Sequence, residues 1–289
     1  SIPLGITSIG NEAFLDNFDI KSITLSSSVT SIKQDAFKNC KNLIKIVLSS
    51  KLFINSGAFS GCISLNDINI DDVGCTSIGS NAFEGCISLQ NIKIPYDTCC
   101  EIASQAFMNC HKLETIVIED GLITIGFEAF KNCHLLKTVI LPSNGTLISL
   151  GYNAFECCSS ITNIIIPESC LTISSNTFSE CIKLHTIKLP SAMTTVESKC
   201  FYMCHDLKSI LLPLNVKIIS NSAFEGSGLT SIVIPSSVVR ICTSAFERCS
   251  NLSTVIYTYP TAPAPATSTS TEEGTVAVAG AGAEQPKGA

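Results

Sequence analysis

The sequence predicts a repeat solenoid made mainly of strand and loop, and three observations carry that prediction. Eleven of the fourteen phenylalanines recur every 22 to 25 residues: Phe14, Phe37, Phe59, Phe83, Phe107, Phe130, Phe155, Phe178, Phe201, Phe224 and Phe246. Cysteine stands three places after the phenylalanine in nine of the eleven units. A short β-branched run of the form Ile-x-Ile, often closed by proline, then completes the unit. Self-similarity at such a period marks stacked supersecondary units, each covering the next.

Each position in the unit has a physical reading. Five residues before every phenylalanine comes an apolar residue: Ile9, Ile32, Ile54, Ile78, Ile102, Ile125, Leu150, Ile173, Val196, Ile219 and Ile241. With a partner three places earlier, as in Val29-x-x-Ile32 and Val238-x-x-Ile241, it forms one inward-facing edge. The cysteine column runs from Cys40 to Cys249, with Asn17 and Ser227 as departures. Three further on sits Leu or Ile, such as Leu43, Leu89 and Ile161. This spacing of three and three predicts a helical or 3₁₀ turn on the wall opposite the strand. Ile92-Lys93-Ile94-Pro95 and Ile164-Ile165-Ile166-Pro167 predict one strand per unit, its first and third residues inward. Proline ends the strand because it cannot donate to the next rung. Rungs about 4.8 Å apart would stack eleven units over about 50 Å. Phe83, Phe107, Phe130 and Phe155, with Cys86, Cys110, Cys133 and Cys158, are expected to form the repeat core.

Composition excludes several function classes. The net charge of −6, with no basic run, argues against nucleic acid and anionic membrane as partners. No stretch of 18 apolar residues exists, so no membrane insertion is expected. Ile2-Pro3 match the last strand residue and closing proline of a preceding unit, so the chain is expected to begin inside a repeat, truncated at the N-terminus. After Tyr257 the composition turns to Pro, Ala, Thr, Ser and Gly. The expected organisation is therefore a solenoid over residues 1–257 and a disordered tail over 258–289.

The pattern Ile-x-x-x-Ala-Phe-x-x-Cys-x-x-Leu-x-x-Ile-x-Ile-Pro resembles the BspA-like class of leucine-rich repeats, and residues 78–89 are a near-ideal copy. The resemblance covers residues 1 to about 257. It implies a curved, right-handed leucine-rich-repeat array with one parallel strand per repeat on the concave side. It further implies a cell-surface or secreted protein of surface-antigen type, used in adhesion or host contact.

Sixteen cysteines invite a search for chemistry. Nine occupy one inward column, where a free thiol packs as a small apolar group. Cys75 and Cys99 stand on neighbouring rungs of a second column and are the candidate disulfide pair. Cys110-His111 and Cys133-His134 imitate a zinc set, but successive residues on a turn point apart, so Cys is expected inward and His outward. No metal, cofactor or catalytic constellation is expected: nucleotide-binding glycine loops, His-Glu-x-x-His and Gly-x-Ser-x-Gly are all missing from the chain. Asn144-Gly145-Thr146 and Asn251-Leu252-Ser253 are glycosylation sequons if the chain is secreted.

The middle residue of each strand faces outward. From Val117 onward this row reads Val117, Ile140, Ile165, Lys188, Leu211, Val233 and Ile256, flanked by small polar residues such as Thr138 and Asn163. An apolar stripe rimmed by polar groups suits a partner-binding face; β-branched residues also suit strands whichever way they point. The expectation is a non-enzymatic protein-binding module at the cell surface, its partner a host or extracellular-matrix protein. The alternative is an intracellular, cytoplasmic leucine-rich-repeat scaffold with reduced cysteines.

Overall fold

The computed structural model describes residues 1–95, 101–143 and 145–258, together with the backbone of 274–276. It is a parallel β-solenoid in which every unit makes one turn of three walls. The first wall holds two-residue strands such as Ser31–Ile32, Thr124–Ile125 and Thr172–Ile173, in parallel sheets of eight and three strands. Their isoleucines sit in register, Ile9 against Ile32 and Ile125 against Leu150, and are buried.

The second wall is the phenylalanine–cysteine side, and its backbone is more regular than any helix would be. Amides two before, at, and two after each phenylalanine donate to the next rung. Asp35 bonds Ser56 at 3.0 Å, Phe37 bonds Ala58 at 2.8 Å, and Asn39 bonds Ser60 at 2.7 Å. The amides between them turn back three residues, Lys38 to Asp35 and Cys40 to Phe37, each at 3.1 Å. These inner bonds are those of a 3₁₀ turn, in line with the three-and-three spacing. A 3₁₀ helix does not develop, because the residues two before and two after each phenylalanine are left-handed in all eleven units, with φ between 52° and 72°. Right-handed residues alternating with left-handed ones throw every second peptide across to the neighbouring rung.

The core lies behind this wall. Phenylalanine rings stack from Phe14 to Phe246 with centroids 4.9 to 6.0 Å apart. The nine from Phe37 to Phe224 are wholly buried, while Phe14 and Phe246 at the ends are partly covered. Cysteine does more than fill space. The Cys133 thiol donates to the carbonyl of Phe107, one rung back, at 3.2 Å, and the Cys133 amide donates to Phe130 at 3.2 Å. The same thiol-to-carbonyl bond recurs from Cys40 to Phe14 through Cys249 to Phe224. Eight of the nine interior phenylalanine carbonyls thus accept one N–H and one S–H, filling both lone pairs without water; the exception is Phe201, where Ser227 replaces the cysteine and its hydroxyl meets the Cys249 thiol at 3.3 Å.

The third wall carries the Ile-x-Ile strands, and it is interrupted. Strands Ser22–Thr24, Lys45–Val47 and Asp67–Ile68 form one sheet; Asn91–Ile94, Thr115–Ile118 and Thr138–Ile140 form a second; Asn163–Ile165 and Thr186–Lys188 form a third. A short helix, Ile70–Val73, follows the first break. Residues 209–211 take no strand, and Ser231–Ile234 pairs only with Thr254–Tyr257 on this wall's last parallel rung. The segment Gly274–Val276 runs antiparallel to Thr254–Tyr257.

Candidate functional site

On the strand wall the members of the row from Val117 to Ile256 are unequally open. Alternation buries Val139, Ile164, Ile210 and Ile232 and turns their neighbours out. Leu211 is 81% exposed, Ile165 67% and Ile140 51%, whereas Val117 and Ile256 are half-buried. Leu211 is the most open although no strand holds it.

Ile140 and Ile165 meet at the second break in the sheet. Strand Thr138–Ile140 pairs with Thr115–Ile118 on one side only, and Asn163–Ile165 pairs only with Thr186–Lys188. Between them opens a cleft of about 620 Å³, lined by Thr138, Ile140, Leu141, Asn163, Ile165 and Glu168, with Lys188 at its margin. Its floor is aliphatic, and its rim offers a hydroxyl, an amide and an ion pair. A smaller cleft of about 220 Å³ marks the first break, beside Ile68, Asn91, Lys93 and Val117. An unpaired strand flank leaves main-chain donors and acceptors unmatched by a neighbour, so a break offers a ligand polar backbone as well as apolar side chains.

Lys188, which crosses the stripe, stands 3.1 Å from Glu168. Glu168 also accepts the Ser191 amide at 2.7 Å. That amide first, and then Lys188, hold the Glu168 carboxyl down at about 2, so the pair stays charged through the physiological range. Lys45, Lys93 and Lys137 on the same wall are matched in the same way by Asp67, Glu119 and Glu114, at 2.6, 2.8 and 3.0 Å. The row therefore presents apolar side chains among neutralised charges rather than a field of one sign.

Burial disfavours the thiolate at several of the described cysteines. Burial pushes Cys86, Cys181 and Cys200 far above the ordinary thiol range, and Cys157, half-buried, up to about 11. Cys75 is buried, while Cys99 and Asn144 lie outside the described residues, and with them the candidate disulfide and one sequon. Asn251 of the other sequon is exposed. Cys110, Cys133 and Cys204 point inward and His111, His134 and His205 outward.

Two features escaped the sequence reading. On the opposite side, Ile123, Ile148 and Leu171 form an exposed apolar row on three consecutive rungs, with Phe127 and Tyr152 exposed beside it. On the turn wall a polar chain runs across rungs: Asn81 donates to Gln105 at 2.9 Å, Gln105 to Glu128 at 2.7 Å, and Lys131 bridges Glu128 and Glu156 at 2.8 and 2.9 Å. A β-branched alternation points to strands, but gives no signal of what stands two or three places outside them.

Eleven stacked turns of this geometry define a leucine-rich-repeat solenoid. The chain matches the BspA type Leucine rich repeat region over residues 1–111, 52–181, 100–227 and 145–253, and it belongs to that family. Among solved structures it is similar to the T. pallidum leucine-rich repeat protein, with 26% identity and a TM-score of 0.51, covering 56% of this chain and 77% of that one. It is also similar to a leucine-rich cell surface protein of Faecalibacterium prausnitzii, with 25% identity and a TM-score of 0.49, covering 89% and 84%. A leucine-rich repeat protein of Bacteroides ovatus shares 26% identity with a TM-score of 0.45, covering 86% and 82%. No curated protein matches the chain. Among the described residues no helix is long and apolar enough to cross a membrane.

Proposed function

We propose that the chain is a non-catalytic protein-binding module acting at the cell surface in adhesion or host contact, and that the partner seats on the strand wall around the break between Ile140 and Ile165. One observation carries this reading: Ile140 and Ile165, two strongly exposed aliphatic side chains of the wall, flank a cleft whose strand edges are unpaired. An exposed apolar patch with a polar rim is the ordinary form of a protein-docking surface. The buried, protonated thiols speak for a scaffold rather than for covalent chemistry. The surface location rests on the family resemblance, and the reading of host or matrix protein as partner rests on the same ground.

The test is a solid-phase adhesion assay on a panel of extracellular-matrix proteins, with wild type and the double variant Ile140→Asp, Ile165→Asp. Wild type is expected to bind at least one member of the panel. The variant should lose that binding while its thermal midpoint stays within about 2 °C, as surface changes usually do. Full binding by the folded variant removes the strand wall as the site, and no binding by wild type removes the matrix reading. A count of reactive thiols on protein from its native source separates secretion from the intracellular alternative. A shortfall by an even number, restored by reductant, speaks for an oxidising compartment.

A further inference from the structure

The corner that follows the cysteine column carries histidine on two consecutive rungs, and the docking surface leaves that chemistry unused. His111 and His134 stand four places after Phe107 and Phe130, with both side chains exposed. Their rings stack with centroids 5.3 Å apart and planes 27° from parallel. Nδ1 of His134 lies 3.0 Å from the carbonyl oxygen of Cys157. A carbonyl can only accept, so this nitrogen carries a proton, and Nε2 is the ring atom available to a metal. A backbone carbonyl on the far nitrogen is the arrangement that orients metal-bound imidazoles.

We propose that His111 and His134 form a two-imidazole site for a borderline divalent cation such as Ni²⁺, Cu²⁺ or Zn²⁺. Metal–nitrogen bonds of about 2.0–2.1 Å require the two nitrogens to lie roughly 3.4 Å apart. The site requires the rings, now stacked 5.3 Å apart, to rotate until their nitrogens reach that separation, and both side chains are exposed. The cysteines beside them take no part, since Cys110 and Cys133 donate inward to Phe83 and Phe107. The same corner carries Ile87 on the rung before and Ser159 on the rung after, so the pair is bounded on both sides. Among the described residues no group of three or more His, Cys, Asp and Glu could hold an ion. The remaining coordination positions therefore face outward, to water or to a ligand from another molecule. Imidazole donors select these cations over Mg²⁺ and Ca²⁺, which favour oxygen.

The experiment is calorimetric titration of the whole chain, freed of any histidine tag, with Ni²⁺ at about pH 7.5 and again at about pH 5, on either side of the ordinary histidine value. One ion should bind per chain at the higher pH and none at the lower. Affinity should fall at least about tenfold in His111→Ala and in His134→Asn alike, and stay unchanged in His205→Ala and Cys157→Ser. The asparagine variant retains an N–H for the Cys157 carbonyl, so loss of binding there reports the ring nitrogen rather than a disturbed turn. Imidazole NMR should show both rings responding to the first equivalent of metal. No saturable binding, binding that survives either histidine variant, or binding lost in Cys157→Ser overturns the site.

Discussion

The turn wall and the strand wall are built by the same eleven units, yet one is continuous and the other is broken. On the turn wall three amides cross every junction from Phe14 to Phe246, and no rung departs from the pattern. On the strand wall the pairing stops after Ile68, after Ile140 and again after Lys188. The difference lies in what each wall can absorb. The turn wall couples ring stacking, thiol donors and left-handed residues at fixed places, so one extra residue would disrupt all three at once. The strand wall needs only an inward isoleucine per rung, and it tolerates insertion. The spacing from Phe130 to Phe155 is 25 residues, the longest in the chain, and the larger cleft opens there. Regularity on one side is what allows the other side to vary without loss of the fold.

Substitutions on the two walls should separate these roles, beginning with the largest effect. Phe130→Ala removes a wholly buried ring from the middle of the stack and should cost about 3–5 kcal/mol in urea unfolding; a cost below about 1 kcal/mol would mean the stack is not the stabilising element. Cys133→Ala deprives the Phe107 carbonyl of one donor and should cost about 1–2 kcal/mol, while Cys133→Ser should recover part of that loss by donating through its hydroxyl. Serine already stands in this column at Ser227. Equal stability of the alanine and serine variants would assign the cysteine to packing alone. Asn176, at φ 59°, should lose about 1 kcal/mol on change to Ala and only a few tenths on change to Gly.

Acid should act on the turn wall as well. Burial opposes ionisation of Glu128, but bonds from Lys131, Gln105 and Asn153 outweigh it and hold the carboxyl below its ordinary value. A depressed carboxylate contributes stability above its unfolded pKa of about 4.3 and loses it as pH falls through the folded value. Unfolding measured from pH 6 down to about pH 3 should therefore show an acid loss that Glu128→Gln makes shallower. An identical acid limb in the variant would place the sensitive group elsewhere. The smallest effect on stability belongs to the strand wall: Ile165→Asp should shift the thermal midpoint by less than about 2 °C, as exposed positions do. A larger shift would show that the open side chain is part of the core after all.

Much of this was legible in the residues. Period, stacking, the buried columns and the outward row all follow from spacing, because eleven repetitions leave one way to bury Phe, Cys and Ile together. The breaks were not legible from alternation, since Ile-x-Ile reads the same whether or not the next strand pairs with it. Only the break after Ile140 left a trace in the unit length, the 25 residues from Phe130 to Phe155. The turn wall held a signal in plain view: ten of its twenty-two left-handed positions are Asn or Gly, among them Gly57, Gly61, Gly85, Asn109 and Asn132. Glu128, Lys199 and Met203 sit in the same conformation without that preference, which blurs the pattern for a reader who counts residue types. The thiol donors were hidden for a simpler reason, as a buried cysteine looks apolar until the carbonyl it faces is seen.

The turn wall also has a direction. Every one of its crossing amides points its N–H toward the following rung, from Glu12 to Gln34 at one end to Gly226 to Glu247 at the other. Peptide dipoles aligned this way add rather than cancel, as they do along a helix axis. The wall is thus electrically polar along its described length, in the direction its crossing amides point.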